Sequence, residues 1–556
     1  MHAGFARREI SAWLPGMTMM GWGVPEQQAT GVQAPLFARA MFLEDEAGAT
    51  LAVVVVELMA VSQGMWLAVL DRLAAEHPAL GLGAENLAMV ATHTHSGPSG
   101  YSHHFWVNLS TPGFCAEVYD SAVEGVVQAI VAAAADRRAA RLRLGVGEVP
   151  REAGVAFNRS WFAYSRNHDT EAVPESRRDE AVDRELVLLT AEGVDGELLG
   201  LASWFGLHGT CLHREQRELH PDHKGLAACA LELEGGVALM AQGCCGDVTP
   251  NHRYDPRRGR VVGAHDDDHR SAEQVAAAQV EVVRGLLAGG ARAHEGRISA
   301  VTAIVDFDRA PVAARYAPDG VDRSTTPARI GLSMAEGTAE GPGPLFAVRW
   351  LNRALTSVLG RWDALRGAVR PAWRSHDPKV ALLELSRGDQ TRLAGLWPVR
   401  WLPAVDPIVG WIRQQVRAGA AGSAPWLPTE LPVQLVRVGG LVVCMLPFEV
   451  TTVAGRRVRA TLREVLPVEV EQIVVCTYAN AYAGYLTTYE EYQVQHYEAG
   501  YTVFGPFALG AVQTAVEALA RRLLDPGAAR VEGRLPERVP RERLEAVAFR
   551  RSWTEV

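Results

Sequence analysis

Apolar residues along this chain follow two alternating rhythms. Short runs rich in Val, Leu, Ala and Met recur at strand length over 51–57, 87–92, 198–207, 237–242, 433–446 (broken at Gly439-Gly440) and 472–478. Longer stretches repeat their apolar residues at spacings of three and four over 65–76, 116–141, 272–287, 455–465 and 509–524. The first rhythm predicts buried strands and the second amphipathic helices. Their alternation through most of the length predicts an α/β protein.

Some segments break the pattern. Residues 310–344 are rich in Gly, Pro, Ala and Thr and read by themselves as a linker. Residues 352–432 carry Trp362, Trp373, Trp397, Trp401, Trp411 and Trp426 among many arginines, the pattern of an inserted subdomain or lid with a tryptophan core. The tail from Arg530 to Val556 has many charges and few apolar residues, so it is expected to wrap the surface. No internal repeat is present.

Composition narrows the function classes. A chain of 556 residues, 48% hydrophobic and 21% charged, has room for two or three cores or one large enzyme domain. Its net charge of −9 is spread over mixed signs, which removes the electrostatic footprint of a nucleic-acid binder. No apolar segment follows Arg7-Arg8 in the manner of a secretory signal. Runs such as 51–56 and 129–135 are shorter than the roughly 20 residues of a membrane span, so no transmembrane segment is expected. Seven scattered cysteines, none in a Cys-x-x-Cys pair, suit a reducing, cytoplasmic setting.

The candidate chemistry sits where predicted strands end. In Thr92-His93-Thr94-His95-Ser96-Gly97-Pro98, period-two alternation is expected to place His93 and His95 on one side of a strand end. Histidine is both the commonest metal ligand and a frequent general base. His208 follows the run 198–207 in the same way, and loops at strand ends of an α/β sheet converge on one crevice. Gly246-Asp247-Val248-Thr249-Pro250-Asn251 presents a hydroxyl on a sharp turn; the bland alternative is Asp247 capping backbone amides. Glu449 lies between a strand and the helix near Gly455, where a carboxylate also suits the helix N-terminus. Finally, five tyrosines fall within sixteen positions from Tyr482 to Tyr497, too dense for routine core.

In their order, these pieces resemble the catalytic domain of neutral ceramidases. The likeness runs from about Arg8 to Leu524 and rests on His-Thr-His-Ser-Gly-Pro, Asn158-Arg159-Ser160, Trp204-Phe205 before His208, and Gly-Asp-Val-Thr-Pro-Asn. It continues through Gly331 to Gly343, Phe448-Glu449 with Gly455-Arg456-Arg457, and Tyr485 to Glu498. The resemblance implies one large catalytic domain over 1–525, a mixed β-sheet flanked by helices with the aromatic-rich insertion at about 345–430. It also makes 331–343 part of that domain rather than a linker, leaves 526–556 as a tail, and implies that the family's appended immunoglobulin-like domain is missing.

The implied activity is a zinc-dependent amidase that splits the N-acyl bond of ceramide, or of a related N-acyl lipid, by a water that zinc activates. Carried over by motif, the Zn2+ ligands are His93, His208, Glu449 and Tyr485. Two imidazoles and a carboxylate with one open position form a usual catalytic zinc set. His95 is implied to shuttle a proton or orient the substrate, supported by Arg159, with Tyr485 or Tyr497 holding the oxyanion. Thr249 stands where the family carries a serine, keeping the hydroxyl but stiffening χ1. That change leaves open a non-sphingolipid amide as substrate, or a catalytically impaired lipid- or amide-binding homologue. Two further clusters are weighed. His265-Asp266-Asp267-Asp268-His269 suits a structural Ca2+ or Mg2+, against a plainer role capping the helix that follows. His103-His104 is expected to line the pocket rim.

Overall fold

The computed structural model describes residues 1–108, 113–343, 375–386, 392–393, 397–398, 407–419, 426–525 and 527–548. Nine strands build the first sheet: β1 His2–Glu9, β2 Phe37–Glu44, β3 Thr50–Val56, β4 Leu87–Ala91, β5 Arg138–Glu148, β6 Glu185–Gly193, β7 Leu198–Phe205, β8 Val237–Gln242 and β9 Arg292–His294. Their order is β8-β7-β6-β5-β1-β2-β3-β4, with β9 on β5. Five more build the second: β10 Ile298–Asp306, β11 Glu430–Val438, β12 Leu441–Met445, β13 Gln472–Cys476 and β14 Val531–Glu532, in the order β13-β12-β11-β10-β14. Four parallel pairs, β3 with β4, β7 with β8, β12 with β13 and β10 with β14, lie within otherwise mainly antiparallel sheets.

Strand alternation explains how the sheets pack. Phe5, Met41, Val53, Val55, Val90, Leu142, Leu144, Val187 and Leu239 from one sheet join Ile298, Val436, Val438, Val443, Met445 and Val474 from the other in one buried cluster. The residues between them, such as Phe42, Val54, Val56, Leu87 and Met89, belong to a second cluster with the helices. Those helices include α1 Gln63–Glu76, α2 Ala116–Ala135, α3 Asp222–Glu232, α4 Asp268–Gly285, α5 Thr452–Val465 and α6 Ala508–Leu524. The layers therefore run helices, sheet, sheet, helices. Each fully buried Val, Leu or Phe contributes about 1.5–3 kcal/mol, so the inter-sheet cluster is a main source of stability.

One sequence expectation needs correction here. The helix expected over 116–141 ends at Ala135, and Arg138–Glu148 is strand β5, with Leu142 and Leu144 facing the inter-sheet core. Alanines at 132–135 propagate a helix without marking its end, so the period change after Asp136 is the true boundary. Helix α2 is also, among the described residues, the one helix long and apolar enough to cross a membrane. It packs on β1 and β2 with Val118, Val123, Val126 and Ile130 buried, as a core helix does. In the tail, β14 adds to β10, and Leu544 and Val547 are buried, with Phe114 donating its amide to the Val547 carbonyl at 2.9 Å. Trp411 and Trp426 are buried against Phe105; the side chains of Trp362, Trp373, Trp397 and Trp401 lie outside the described residues.

Candidate metal centre and active site

Three of the parallel pairs, β3 with β4, β7 with β8 and β12 with β13, point their carboxyl ends at one place, where the two sheets meet. The junction is sealed by an isolated bridge between Val90 and Ala479 and by the Asn480 side chain, which accepts from the Met89 amide at 2.8 Å. Past β4, the Thr92 amide still donates to Val56 and the His93 amide to Leu58, both at 2.9 Å. His93 then turns into the left-handed region with φ 66°. The two rings of His-x-His therefore converge through a turn, and the expected strand alternation does not operate. A non-glycine residue in this conformation costs about 1 kcal/mol or more, and such strain concentrates at functional sites.

A second constraint comes from the facing loop. Thr94 bridges to Gly209, and the His95 amide donates to the Gly209 carbonyl at 3.1 Å, so the turn after β7 is stitched to the turn after β4. A Cβ on Gly209 would lie 2.4 Å from the His93 carbonyl oxygen, so only glycine permits this approach. Glu449 arrives from the second sheet on a short parallel pair, Glu449–Val450 beside Tyr485–Leu486, which also delivers Tyr485.

The side chains meet as a compact donor set. His93 Nδ1 lies 2.6 Å from the Met59 carbonyl, and His208 Nδ1 lies 2.6 Å from the Cys245 carbonyl. Each carbonyl only accepts, so each Nδ1 donates and each ring is left with Nε2 turned toward Glu449. Those two Nε2 atoms lie 3.3 and 3.2 Å from Glu449 Oε2. Anchoring of the far ring nitrogen is what orients histidine ligands at metal sites. His95 Nε2 is 3.2 Å from His93 Nε2, and among the described residues His93, His95 and His208 are the histidines whose ligand atoms gather closely enough to hold an ion. His95, expected beside the metal rather than on it, thus enters the same nitrogen cluster. It differs from the other two: its Nδ1 is buried with no hydrogen-bond partner.

Electrostatics agree with a cation-shaped site. Burial holds the imidazoles of His95 and His208 below their ordinary range and therefore neutral. Burial alone would raise Glu449, but His93 and His208 outweigh it and keep the carboxylate ionised. Tyr478 Oη donates to Glu449 Oε2 at 3.1 Å and Tyr482 Oη to Oε1 at 2.5 Å, which orients the carboxylate from behind. Tyr485 Oη is 3.5 Å from His208 Nε2 and accepts from Arg159 Nη2 at 2.7 Å. The ring of Tyr497 packs edge-on against Tyr485 at 5.5 Å, and the Arg159 guanidinium lies 5.9 Å from each ring centre.

Arg159 spans two buried carboxylates. It donates to Glu340 Oε1 at 2.7 Å, to Glu498 Oε1 at 2.9 Å and to the Gly246 carbonyl at 2.8 Å. Thr249 Oγ1 donates to Glu340 Oε2 at 2.5 Å and accepts from the Asn251 amide at 3.0 Å. Burial would raise Glu340, yet Arg159, His208, Thr249 and Asn251 hold it at about 2. Such a weak base does not take the Thr249 proton, which argues for a hydroxyl that positions rather than attacks.

Every expected site residue, His93, His95, Arg159, His208, Thr249, Glu449, Tyr485 and Tyr497, lies in or against this cluster. Residues missed by sequence reasoning are Tyr478, Glu340 and Trp22. Tyr478 follows β13 and stacks on His93 at 4.0 Å, while Trp22 meets the His95 ring edge-on at 5.1 Å. Isolated aromatic or acidic residues carry no spacing signal, so only three-dimensional contact reveals them. The plainer roles considered for two residues resolve differently. Asp247 does accept the Thr452 amide at the start of α5, at 2.8 Å, whereas Glu449 bonds tyrosines and histidines instead of a helix N-terminus.

The other clusters are absorbed by structure. Asp267 caps α4 by accepting from the His269 amide at 2.9 Å, Asp268 pairs with His213 and Arg258, and Asp266 pairs with Arg253. Among the described residues, 265–269 is not one of the groups whose ligand atoms gather within reach of one ion, and the plainer capping role accounts for Asp267. His103 is not at a rim; it is buried between Gly64 of α1 and Tyr119 of α2.

One nearby pair supplies a stability test. Glu491 is pushed up to about 7 by burial and by the neighbouring carboxylate of Asp247. A raised folded-state value contributes stability that is complete below the ordinary 4.5 and is lost as pH rises through about 7. The thermal midpoint of the wild type is therefore expected to fall across that window, and Glu491→Gln to flatten the fall. Equal slopes in both proteins, followed by circular dichroism, would refute it.

The comparisons with known proteins meet this geometry. The model of the neutral/alkaline non-lysosomal ceramidase N-terminal domain matches residues 2–408 and 415–514. The chain belongs to this family. It is 32% identical to the neutral ceramidase of Pseudomonas aeruginosa over 519 residues, covering 92% of this chain and 70% of that protein. It is 29% identical to the neutral ceramidase of Mycobacterium tuberculosis, covering 91% and 74%. A solved ceramidase complexed with C2 superposes with a TM-score of 0.80 at 29% identity, covering 96% of this chain and 77% of that one. The crystal structure of neutral ceramidase from Pseudomonas aeruginosa gives 0.74 at 27%, covering 96% and 76%.

Proposed function

We propose that this protein is a zinc-dependent hydrolase of the N-acyl bond of ceramide or a closely related N-acyl lipid. The observation that carries the reading is the pair of imidazoles, His93 and His208, each anchored at Nδ1 by a carbonyl and each turning Nε2 toward Glu449 Oε2. This is the chemistry of a zinc ligand set, and with Tyr485 it gives four donors. Family membership and the curated neutral ceramidases among its relatives support the substrate class.

Zinc, when bound, supplies Lewis-acid polarisation and acidifies water at the site. The protein's own groups do the rest. Arg159 holds the Tyr485 hydroxyl in place at 2.7 Å, next to where an oxyanion develops. Tyr497, whose ring packs edge-on against Tyr485, serves as a further donor. His95, neutral and with Nδ1 unpartnered, takes the proton released by the attacking water and passes it to the departing amine. Tyr478 and Tyr482 hold Glu449 still while this happens.

The test is a turnover screen of N-acyl sphingosines, N-acyl amino acids and N-acylethanolamines with zinc-loaded protein, before and after chelation. N-acyl sphingosine is expected to be cleaved, with activity lost to the chelator and restored by added zinc. Absence of cleavage across all three classes sinks the reading.

A further inference from the structure

Glu340 belongs to none of the groups just given a role, yet four side-chain donors converge on it. Oε1 accepts from Arg159 Nη1 at 2.7 Å. Oε2 accepts from Thr249 Oγ1 at 2.5 Å, Asn251 Nδ2 at 2.7 Å and Thr210 Oγ1 at 3.2 Å. The side chain is 2% exposed. It therefore joins three loops: Thr210 follows the β7 turn, Thr249 and Asn251 follow β8, and Arg159 carries the contact to Tyr485.

The loop that bears Glu340 is built to aim it. Gly337 and Pro342 form an isolated bridge, the Thr338 amide donates to Gly341 at 3.0 Å, and the Gly343 amide donates to Glu336 at 2.8 Å. Gly337 has φ 68°, and a Cβ there would lie 2.3 Å from the Gly341 carbonyl. A Cβ on Gly341 would lie 2.7 Å from the Trp22 ring, which flanks His95. Such a turn holds one side chain in one direction, at the cost of excluding almost every other residue at its glycines.

We propose that Glu340 is the positioning residue of this active site: it fixes Arg159 against Tyr485 and fixes the Thr249 hydroxyl in the same contact, so that both are set before substrate arrives. The proposal rests on the reading of the site as a metal-dependent amidase and adds to it the part that orients Tyr485. Glutamine is a discriminating probe because all four neighbours are donors. An amide must turn its own N–H groups toward Arg159 or toward Thr249 and Asn251, which breaks one side of the contact whichever way it faces.

Two measurements decide it. With Co2+ in place of zinc, E340Q is expected to shift the visible d–d bands, because the Tyr485 phenol moves, and E340D is expected to return them toward wild type. With N-acyl sphingosine, E340Q is expected to lower kcat by about a hundredfold with KM changed less than about threefold, the signature of a lost transition-state contact. E340D should recover at least about tenfold of that loss. A Co2+ spectrum unchanged in E340Q, or a kcat within threefold of wild type, overturns the proposal. So does an E340D variant that binds metal fully and remains as impaired as E340Q. If wild-type protein cleaves no N-acyl amide, the functional reading has failed, and the cobalt spectrum still decides whether Glu340 positions Tyr485.

Discussion

Glu449→Ala is expected to remove bound zinc and to lower turnover by on the order of a thousandfold or more. Glu449 is the one carboxylate that touches both His93 and His208, at 3.3 and 3.2 Å from its Oε2. Without it the site keeps two imidazoles and a phenol, a weak set for a divalent cation. The substitution also leaves Tyr478 and Tyr482 with hydroxyls that have lost their acceptor. Metal analysis should fall from about one zinc per chain to a small fraction, while His93→Ala behaves alike. Tyr482→Phe makes a useful contrast: it removes only a supporting hydrogen bond, so zinc affinity should drop by about 10- to 100-fold and no further. If Glu449→Ala retains a full zinc complement in a folded protein, the ligand assignment is wrong.

Much of this site is legible in the sequence alone. His93, His208 and Glu449 each follow an apolar run that ends in a turn, and strand ends are where an α/β protein collects its chemistry. What spacing did not convey is that these ends belong to two sheets. The runs 433–446 and 472–478 look like further strands of one sheet, because inward-facing residues on either sheet are equally apolar. Only the shared burial of Val53 with Val443, or Phe5 with Ile298, separates them.

The errors have local causes. His93 and His95 converge through a left-handed turn, and a histidine at φ 66° leaves no trace in hydropathy. Tyr478 and Glu340 act through contacts 29 and 91 positions away, to Glu449 and Thr249, beyond the reach of any motif. The Gly-rich stretch around 337–343 reads as flexible by composition, but its glycines permit close approach and a positive φ in a fixed loop. Composition therefore understated the order of the segment that aims a carboxylate into the site.

Arg159→Met is expected to destabilise the fold by about 3–5 kcal/mol, more than any surface charge change, because it strands charge in the interior. Arg159 lies between Glu340 and Glu498, whose side chains are only 2% and 4% exposed, and no solvent is at hand to replace the guanidinium. In the wild type, Glu340 is held at about 2, below its ordinary 4.5, so it contributes stability above 4.5 that is lost as pH falls toward 2. Without Arg159 burial dominates and the carboxyl rises above its ordinary value, so its ionisation opposes folding at neutral pH. The deficit of the variant should thus be largest at neutral pH and shrink as pH is lowered. Arg159→Lys restores one charge but not the fork that reaches Glu340, Glu498, Gly246 and Tyr485 together, so it should recover part of the stability and little activity. Thermal midpoints of the three proteins across pH test this directly. A gap between wild type and Arg159→Met that stays constant or widens toward acid would show that the arginine acts through packing rather than through the two carboxylates it bridges.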